Sequence, residues 1–130
     1  LSGPIMDRID LWVEVSKVEY EKLTDDRDLH EGTEKIKPRV EKARSIQEKR
    51  FSKLKIKTNA ELSSKDLVKM VPLSDPTKEL LNSSAKQLDL SARSYHRIIK
   101  LARTIADLEG VGAVEDKHIL EALQYRPKKY

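Results

Sequence analysis

Leu90-Ser91-Ala92-Arg93-Ser94-Tyr95-His96-Arg97-Ile98-Ile99-Lys100-Leu101-Ala102-Arg103-Thr104-Ile105-Ala106-Asp107-Leu108-Glu109-Gly110 reads as one amphipathic helix with both ends marked. Ser91 is an N-cap residue, whose side-chain oxygen can take a backbone N–H of the first turn. Gly110 suits the left-handed conformation that closes a helix, because it has no Cβ to clash. At about 100° per residue, Tyr95, Ile98, Ile99, Ala102, Ile105 and Ala106 share one face, and Arg93, Arg97 and Lys100 lie on the opposite one. Periodicity alone makes this a packed helix with a solvated basic back.

Working outward, more helices follow from the same logic. A long one is expected to start between Thr33 and Pro38 and end near Leu54, since proline is at ease only in the first turn and otherwise kinks the helix. Its stripe is Ile36, Val40, Ala43, Gln47, Phe51 and Leu54, with Arg50 inside it. Gln47 and Arg50 are expected to be hydrogen-bonded members of the core; the alternative is that they face another subunit or domain. A short helix starts at Ser63-Ser64-Lys65-Asp66 and is stopped by Pro72. Asp75-Pro76 reads as an N-cap with proline after it, opening a helix to about Leu88 that turns Leu80, Leu81, Ala85 and Leu88 inward. After Val111-Gly112-Ala113-Val114 a last helix runs from about Asp116 to Tyr125, packs Ile119, Leu120 and Leu123, and ends at Pro127 before a basic tail, Lys128-Lys129-Tyr130. The expected fold is all-α, a small helical bundle.

Before the bundle, Ile9, Leu11, Val13 and Val15 alternate with Asp10, Trp12, Glu14 and Ser16, a period of two that predicts a β-strand. A lone strand needs partners, so it is expected to be a remnant of a sheet elsewhere and to pack in an improvised way here. Residues 21–32 are acidic and without periodicity. Asp25, Asp26, Asp28 and Glu31 lack the loop spacing and glycine of a calcium loop, so an acidic linker is expected there.

The 130 residues carry a net charge of +4, unevenly spread: −5 over residues 1–33, +7 over 34–58 and +2 over 59–130. The middle segment is thus the electrostatic feature, with Lys35, Arg39, Lys42, Lys49 and Lys53 along one helix flank as candidate nucleic-acid contacts. There is no cysteine, which rules out a disulfide framework or a thiolate metal site and fits a reducing cytoplasm. No apolar run approaches the roughly 20 residues of a membrane helix. His30, His96 and His118 share no ligand spacing, so no metal site is expected. Ser91 and Ser94 have no evident activating base.

Leu1-Ser2-Gly3-Pro4-Ile5-Met6-Asp7-Arg8-Ile9-Asp10-Leu11, Ala43-Arg44-Ser45-Ile46-Gln47-Glu48-Lys49-Arg50-Phe51, Asn59-Ala60-Glu61-Leu62, the helix at 90–110 and His118-Ile119-Leu120-Glu121-Ala122-Leu123-Gln124-Tyr125-Arg126 occur in order. Together they resemble the C-terminal part of Mg-chelatase-like AAA+ ATPases of the ComM (YifB) type. The resemblance covers nearly the whole chain. It implies that residues 1–20 are the end of an ATPase core, 21–33 a linker and 34–130 the helical lid domain. The chain begins at Leu1, inside a motif, which suggests a piece of a longer protein.

The resemblance implies a hexameric, ATP- and Mg²⁺-dependent motor that remodels DNA, with the ATPase core and neighbouring subunits as partners. Arg8 matches the position of an arginine finger, which meets the charge that spreads over the γ-phosphoryl oxygens of the next subunit's nucleotide. Arg93 matches the sensor-2 arginine, which touches the phosphates of its own subunit's nucleotide. Without the resemblance, Arg8 reads as an ion-pair partner of Asp7 or Asp10, and Arg93 as a solvated helix-start residue. No phosphate-cradling loop ending in Gly-Lys-Ser/Thr is present, so the chain alone is expected to hold no nucleotide and to be inactive as an ATPase. Two other readings compete: a free-standing helical nucleic-acid-binding module using the basic flank, and a protein-interaction adaptor.

Overall fold

A computed structural model describes residues 3–16, 20 and 32–127. The elements in chain order are α1 (Gly3–Met6), α2 (Thr33–Arg50), a 3₁₀ turn (Asn59–Glu61), α3 (Ser64–Met70), α4 (Asp75–Leu88), α5 (Ala92–Glu109) and α6 (Asp116–Gln124). The fold is an all-α bundle built around α5. That helix packs on α6, α2, the 3₁₀ turn and α3, while α4 packs on α6. No helix among the described residues is long and apolar enough to cross a membrane.

The caps of α5 form as its sequence dictates. Ser91 Oγ accepts the Ser94 N–H at 3.1 Å. Gly110 closes the helix at φ 81° and ψ 23°, and its N–H returns to Asp107 O at 3.1 Å. Ile98, Ile99, Ala102 and Ala106 are buried, and Tyr95 and Ile105 half-buried, on the inward face. They meet Phe51, Leu62, Leu67, Leu81, Ile119 and Ala122 in one core. Burying such side chains is the main stabilising contribution, at about 1.5–3 kcal/mol for each large one.

Several expectations shift. The helix around Pro38 starts at Thr33, so the proline lies in the second turn and not the first. It leaves the Glu34 carbonyl without its helical donor. Residues 33–42 are all exposed, so water can satisfy that carbonyl. The same exposure corrects the stripe: Ala43, Gln47 and Phe51 are buried, but Ile36 and Val40 are each 43% exposed because this end of α2 projects past the bundle. The helix also stops at Arg50, four residues short of Leu54, which is exposed. The N-cap of α4 is Ser74 and not Asp75, with Ser74 Oγ accepting Thr77 N–H at 3.4 Å and Pro76 in the first turn. In α6, which ends at Gln124, Ile119 and Leu123 are buried but Leu120 faces out.

The strand over Ile9–Val15 is not formed. Residues 9–16 belong to no helix and no strand, and Ile9, Leu11, Val13 and Val15 are exposed. Alternation is a signature of pairing, and no neighbouring strand exists among the described residues to supply the ladder. The segment is held to the bundle instead, with Trp12 N–H donating to Tyr125 O at 2.8 Å. The acidic stretch with Asp25, Asp26, Asp28, His30 and Glu31, and the basic tail 128–130, lie outside the described residues.

Candidate functional site

The polar side of α5 is where the structure gathers the charged groups of interest. A cavity of about 660 Å³ lies between α5, residues 60–64 and the N-terminal segment, with Asp10, Ser64, Arg93, His96, Arg97 and Lys100 on its walls. Most of these groups are engaged. Arg97 Nε meets Asp10 Oδ1 at 2.7 Å, and Arg97 Nη1 donates to Ile9 O at 3.3 Å. Lys100 Nζ donates to Ala60 O at 3.3 Å, and His96 Nδ1 is 3.4 Å from Ser64 Oγ. The basic back of α5 is therefore not simply solvated: it holds two other segments of the chain.

Arg93 differs. It is the second residue of α5, exposed, and its guanidinium has no partner among the described residues. A free cation beside the N–H groups of a helix start is an arrangement that can take an anion, because the helix dipole and the guanidinium act with the same sign.

Arg8 lies just beyond α1, exposed, with its backbone N–H on Ile5 O at 3.0 Å. It makes no ion pair with a described residue. The alternative of a partnership with Asp10 fails because Asp10 is paired with Arg97. The structure does not bring Arg8 and Arg93 together. Arg8 lines neither the cavity at Arg93 nor a second one of about 840 Å³ between the N-terminal segment and the α4–α5 corner. Lys35, Arg39, Lys42 and Lys49 are exposed along α2, whereas Lys53 is exposed in the turn beyond it, because the helix stops at Arg50; none of the five lines either cavity.

Glu109, Glu115 and His118 place one ligand-type atom each within 4.8 Å of one another. Their hydrogen bonds define another role. His118 Nδ1 accepts the Glu115 N–H at 2.9 Å, so Nε2 carries the ring hydrogen and donates it to Glu109 Oε2 at 2.8 Å. Glu109 Oε1 takes Lys117 Nζ at 2.5 Å. The hydrogen bonds from Lys117 and His118 hold the Glu109 carboxyl below its ordinary range, and Glu109 in turn raises Lys117. This trio clasps the start of α6 to the end of α5.

One buried polar network joins Gln47 and Arg50, expected in the core, to Asn59, Arg103 and Asp107, which the sequence reading missed. Asp107, 1% exposed, accepts Arg50 Nη1 at 2.8 Å and Nη2 at 2.5 Å, Asn59 Nδ2 at 2.9 Å and Arg103 Nε at 3.1 Å. Arg103 donates onward to Val111 O at 2.7 Å and Gly112 O at 2.8 Å, and Gln47 Oε1 accepts Asn59 N–H at 3.0 Å. Burial pushes the Asp107 carboxyl up, but the hydrogen bonds from Arg50 and Asn59 and the nearby guanidinium charges outweigh it, and the net shift is downward. Burial likewise lowers Arg103, against the opposing pull of Asp107. Gln47 and Arg50 are thus satisfied inside the domain. A signal existed: Ile99, Arg103 and Asp107 form one i, i+4 row, so a buried Ile99 carries its two polar successors inward.

Comparison with known proteins adds an independent finding. The family described as "Magnesium chelatase, subunit ChlI C-terminal" matches residues 30–126. The chain is 40% identical over 126 residues to the competence protein ComM of Haemophilus influenzae, covering 97% of this chain and 24% of that protein. It is 34% and 35% identical, over the same shares, to the YifB proteins of Salmonella typhimurium and Escherichia coli. The chain spans about a quarter of the length of these relatives.

Proposed function

Because this chain belongs to the family of the magnesium chelatase subunit ChlI C-terminal domain, we propose that it is the nucleotide-sensing lid of an ATP-hydrolysing ring motor. The observation that supports the reading is Arg93, a guanidinium with no partner among the described residues, in the first turn of the central helix beside a cavity. Arg93 fits a terminal phosphate of ATP held by the same subunit's core. Arg8 sits on a separate exposed segment and fits a finger aimed at a neighbouring subunit's nucleotide. ATP with Mg²⁺ supplies the phosphoryl group; Arg8 and Arg93 are the residues of this chain proposed to meet it, and the remaining contacts are assigned to the core. Because Arg93 is anchored to the bundle through buried Ile98 and Ile99, a contact with phosphate fixes the angle of the whole lid.

The test is Arg93→Ala in the protein that carries this chain together with its core. Losing a hydrogen bond to a charged group is worth about 1.5–3 kcal/mol, roughly ten- to a hundredfold in turnover. Thermal stability should move by only about 0.5 kcal/mol, as for other exposed helix positions. Arg93→Lys should rescue in part, since it keeps the charge but loses the planar fork. A large fall in melting temperature would make Arg93 structural, and unchanged turnover would end its assignment as a sensor.

DNA is the proposed substrate, and the projecting basic flank of α2 is the surface proposed to meet it. Contacts of this type go to phosphates, so binding should weaken with salt, by about 0.9 in the log–log slope for each phosphate neutralised on duplex DNA. Changing Lys35, Lys42 and Lys49 to glutamine together should therefore reduce the slope by roughly 3 and weaken binding alike for all sequences. An unchanged slope would remove DNA from this face.

A further inference from the structure

We propose that Ile36 and Val40 form a docking face, covered in the full-length protein by an apolar surface of the domain that precedes this one in the same polypeptide. Ile36, Val40, Ala43 and Gln47 follow one another at spacings of four, three and four along α2, so at about 100° per residue they make one row. The bundle covers only half of it. Ala43 and Gln47 are 4% and 5% exposed, whereas Ile36 and Val40 are each 43% exposed. Single apolar residues on a surface are ordinary, but these two continue a row that is buried further along the same helix.

The projecting end has little to keep it helical by itself. Its N-cap is Gly32, with no side-chain hydrogen bond to the first turn. Pro38 removes one hydrogen bond inside the helix. The i, i+4 pair of Lys37 and Glu41, 3.9 Å apart between side chains 71% and 66% exposed, adds little. Residues 33–42 are all exposed. A helix draws most of its stability from packing of its apolar side, so an end like this one calls for a partner outside the bundle.

The occupant follows from how the chain is arranged. The family that matches residues 30–126 is described as C-terminal, and the chain spans 24% of the ComM relative, so most of such a protein precedes this domain. It joins at the projecting end, because the match begins at residue 30 and α2 at Thr33. A second copy of the chain fits less well. A stable interface takes about 800 Å² from each partner, more than these two partly exposed side chains present. A tethered partner needs much less, because the linkage keeps its effective concentration high. Lys35, Arg39 and Lys42 lie roughly 70–130° round the helix from the row, so docking leaves the basic flank open. The docking involves no nucleotide, so it stands or falls apart from the sensor reading of Arg93.

The experiment uses the full-length protein, labelled with hydroxyl radicals and read by mass spectrometry. Relative to the unfolded protein, Ile36 and Val40 should label like buried Ile98 and Ile99, at least about fourfold less than their 43% exposure implies. Labelling in proportion to that exposure would overturn the proposal. Val40→benzoylphenylalanine, photo-crosslinked in a mixture of isotopically light and heavy copies, identifies the occupant. Cross-links should run to the preceding domain and join light to light or heavy to heavy. Cross-links between light and heavy copies, or to added duplex DNA, would overturn the assignment. Ile36→Ala with Val40→Ala should speed amide exchange over residues 33–42 and leave α5 unchanged. Alanine is the better helix former, so faster exchange there reports lost docking and not a weakened helix. Faster exchange in α5 as well would make the row part of the bundle's own core, and unchanged exchange over 33–42 would mean that nothing docks; either result ends the proposal.

Discussion

Asp107→Ala is expected to lower the stability of this chain by about 3–5 kcal/mol, a fall of roughly 10–25 °C in the melting midpoint. The carboxylate is 1% exposed and answers two guanidinium groups, those of Arg50 and Arg103, whose side chains are 15% and 6% exposed. Its removal leaves two cations in the interior with fewer acceptors, and uncompensated buried charge is among the few mechanisms that give losses of this size. Asp107→Asn should cost nearly as much, because it keeps the shape but not the charge. Calorimetry on the three proteins checks this, and a shift of only a degree or two for alanine would mean that water already screens the network.

The same residue predicts a pH dependence. Its carboxyl is held below the ordinary value in the folded chain, chiefly by hydrogen bonds from Arg50 and Asn59 that overcome the cost of burial. A depressed folded value means that the stabilisation is fully present above the unfolded pKa of about 3.9 and is lost as pH falls from there through the folded value. Melting of the unaltered chain should drop steeply below about pH 4, and the drop should be shallower in Asp107→Ala.

Arg8→Ala in the protein that carries this chain and its core is expected to cut ATP turnover on the order of 10³-fold or more, with nucleotide affinity little changed. A finger meets charge that grows between ground state and transition state, so its loss falls on turnover and not on binding. Arg8 is exposed and makes no ion pair with a described residue, so a structural effect should be small. Mixing Arg8→Ala with a variant disabled in its phosphate-binding loop should restore part of the activity, because some interfaces then combine an intact finger with an intact nucleotide site. Full turnover in Arg8→Ala alone would return the residue to an ordinary surface arginine.

The two arginines also show how far the site was legible. Arg93 could be placed from the sequence, since Ser91 fixes where α5 starts and the apolar face fixes which way Arg93 points. Its neighbour Arg97 was read as solvated by the same wheel, yet it grips Asp10, 87 positions earlier in the chain. A helical wheel describes a helix in isolation and says nothing of a segment that folds over its polar face. Arg8 was singled out by the motif around it, but its separation from Asp10 was not legible, because that depended on Arg97 taking the carboxylate.

By itself the sequence determined the two ends of α5 at Ser91 and Gly110, the stop of α3 before Pro72, and the apolar rows that make the fold a helical bundle. These signals act between residues within about one turn of each other, so their order in the chain is enough to read them. Tertiary structure alone decided that Asn59, Arg103 and Asp107 join Gln47 and Arg50 inside, that Ile36, Val40 and Leu120 stay outside, and that the alternating segment 9–16 lies on the bundle without forming a strand. Those outcomes turn on partners far apart in sequence, as when Arg50 meets Asp107 across 57 positions. A buried charge is tolerable only when its counter-charge arrives at the same place, and arrival is settled by packing, not by local pattern.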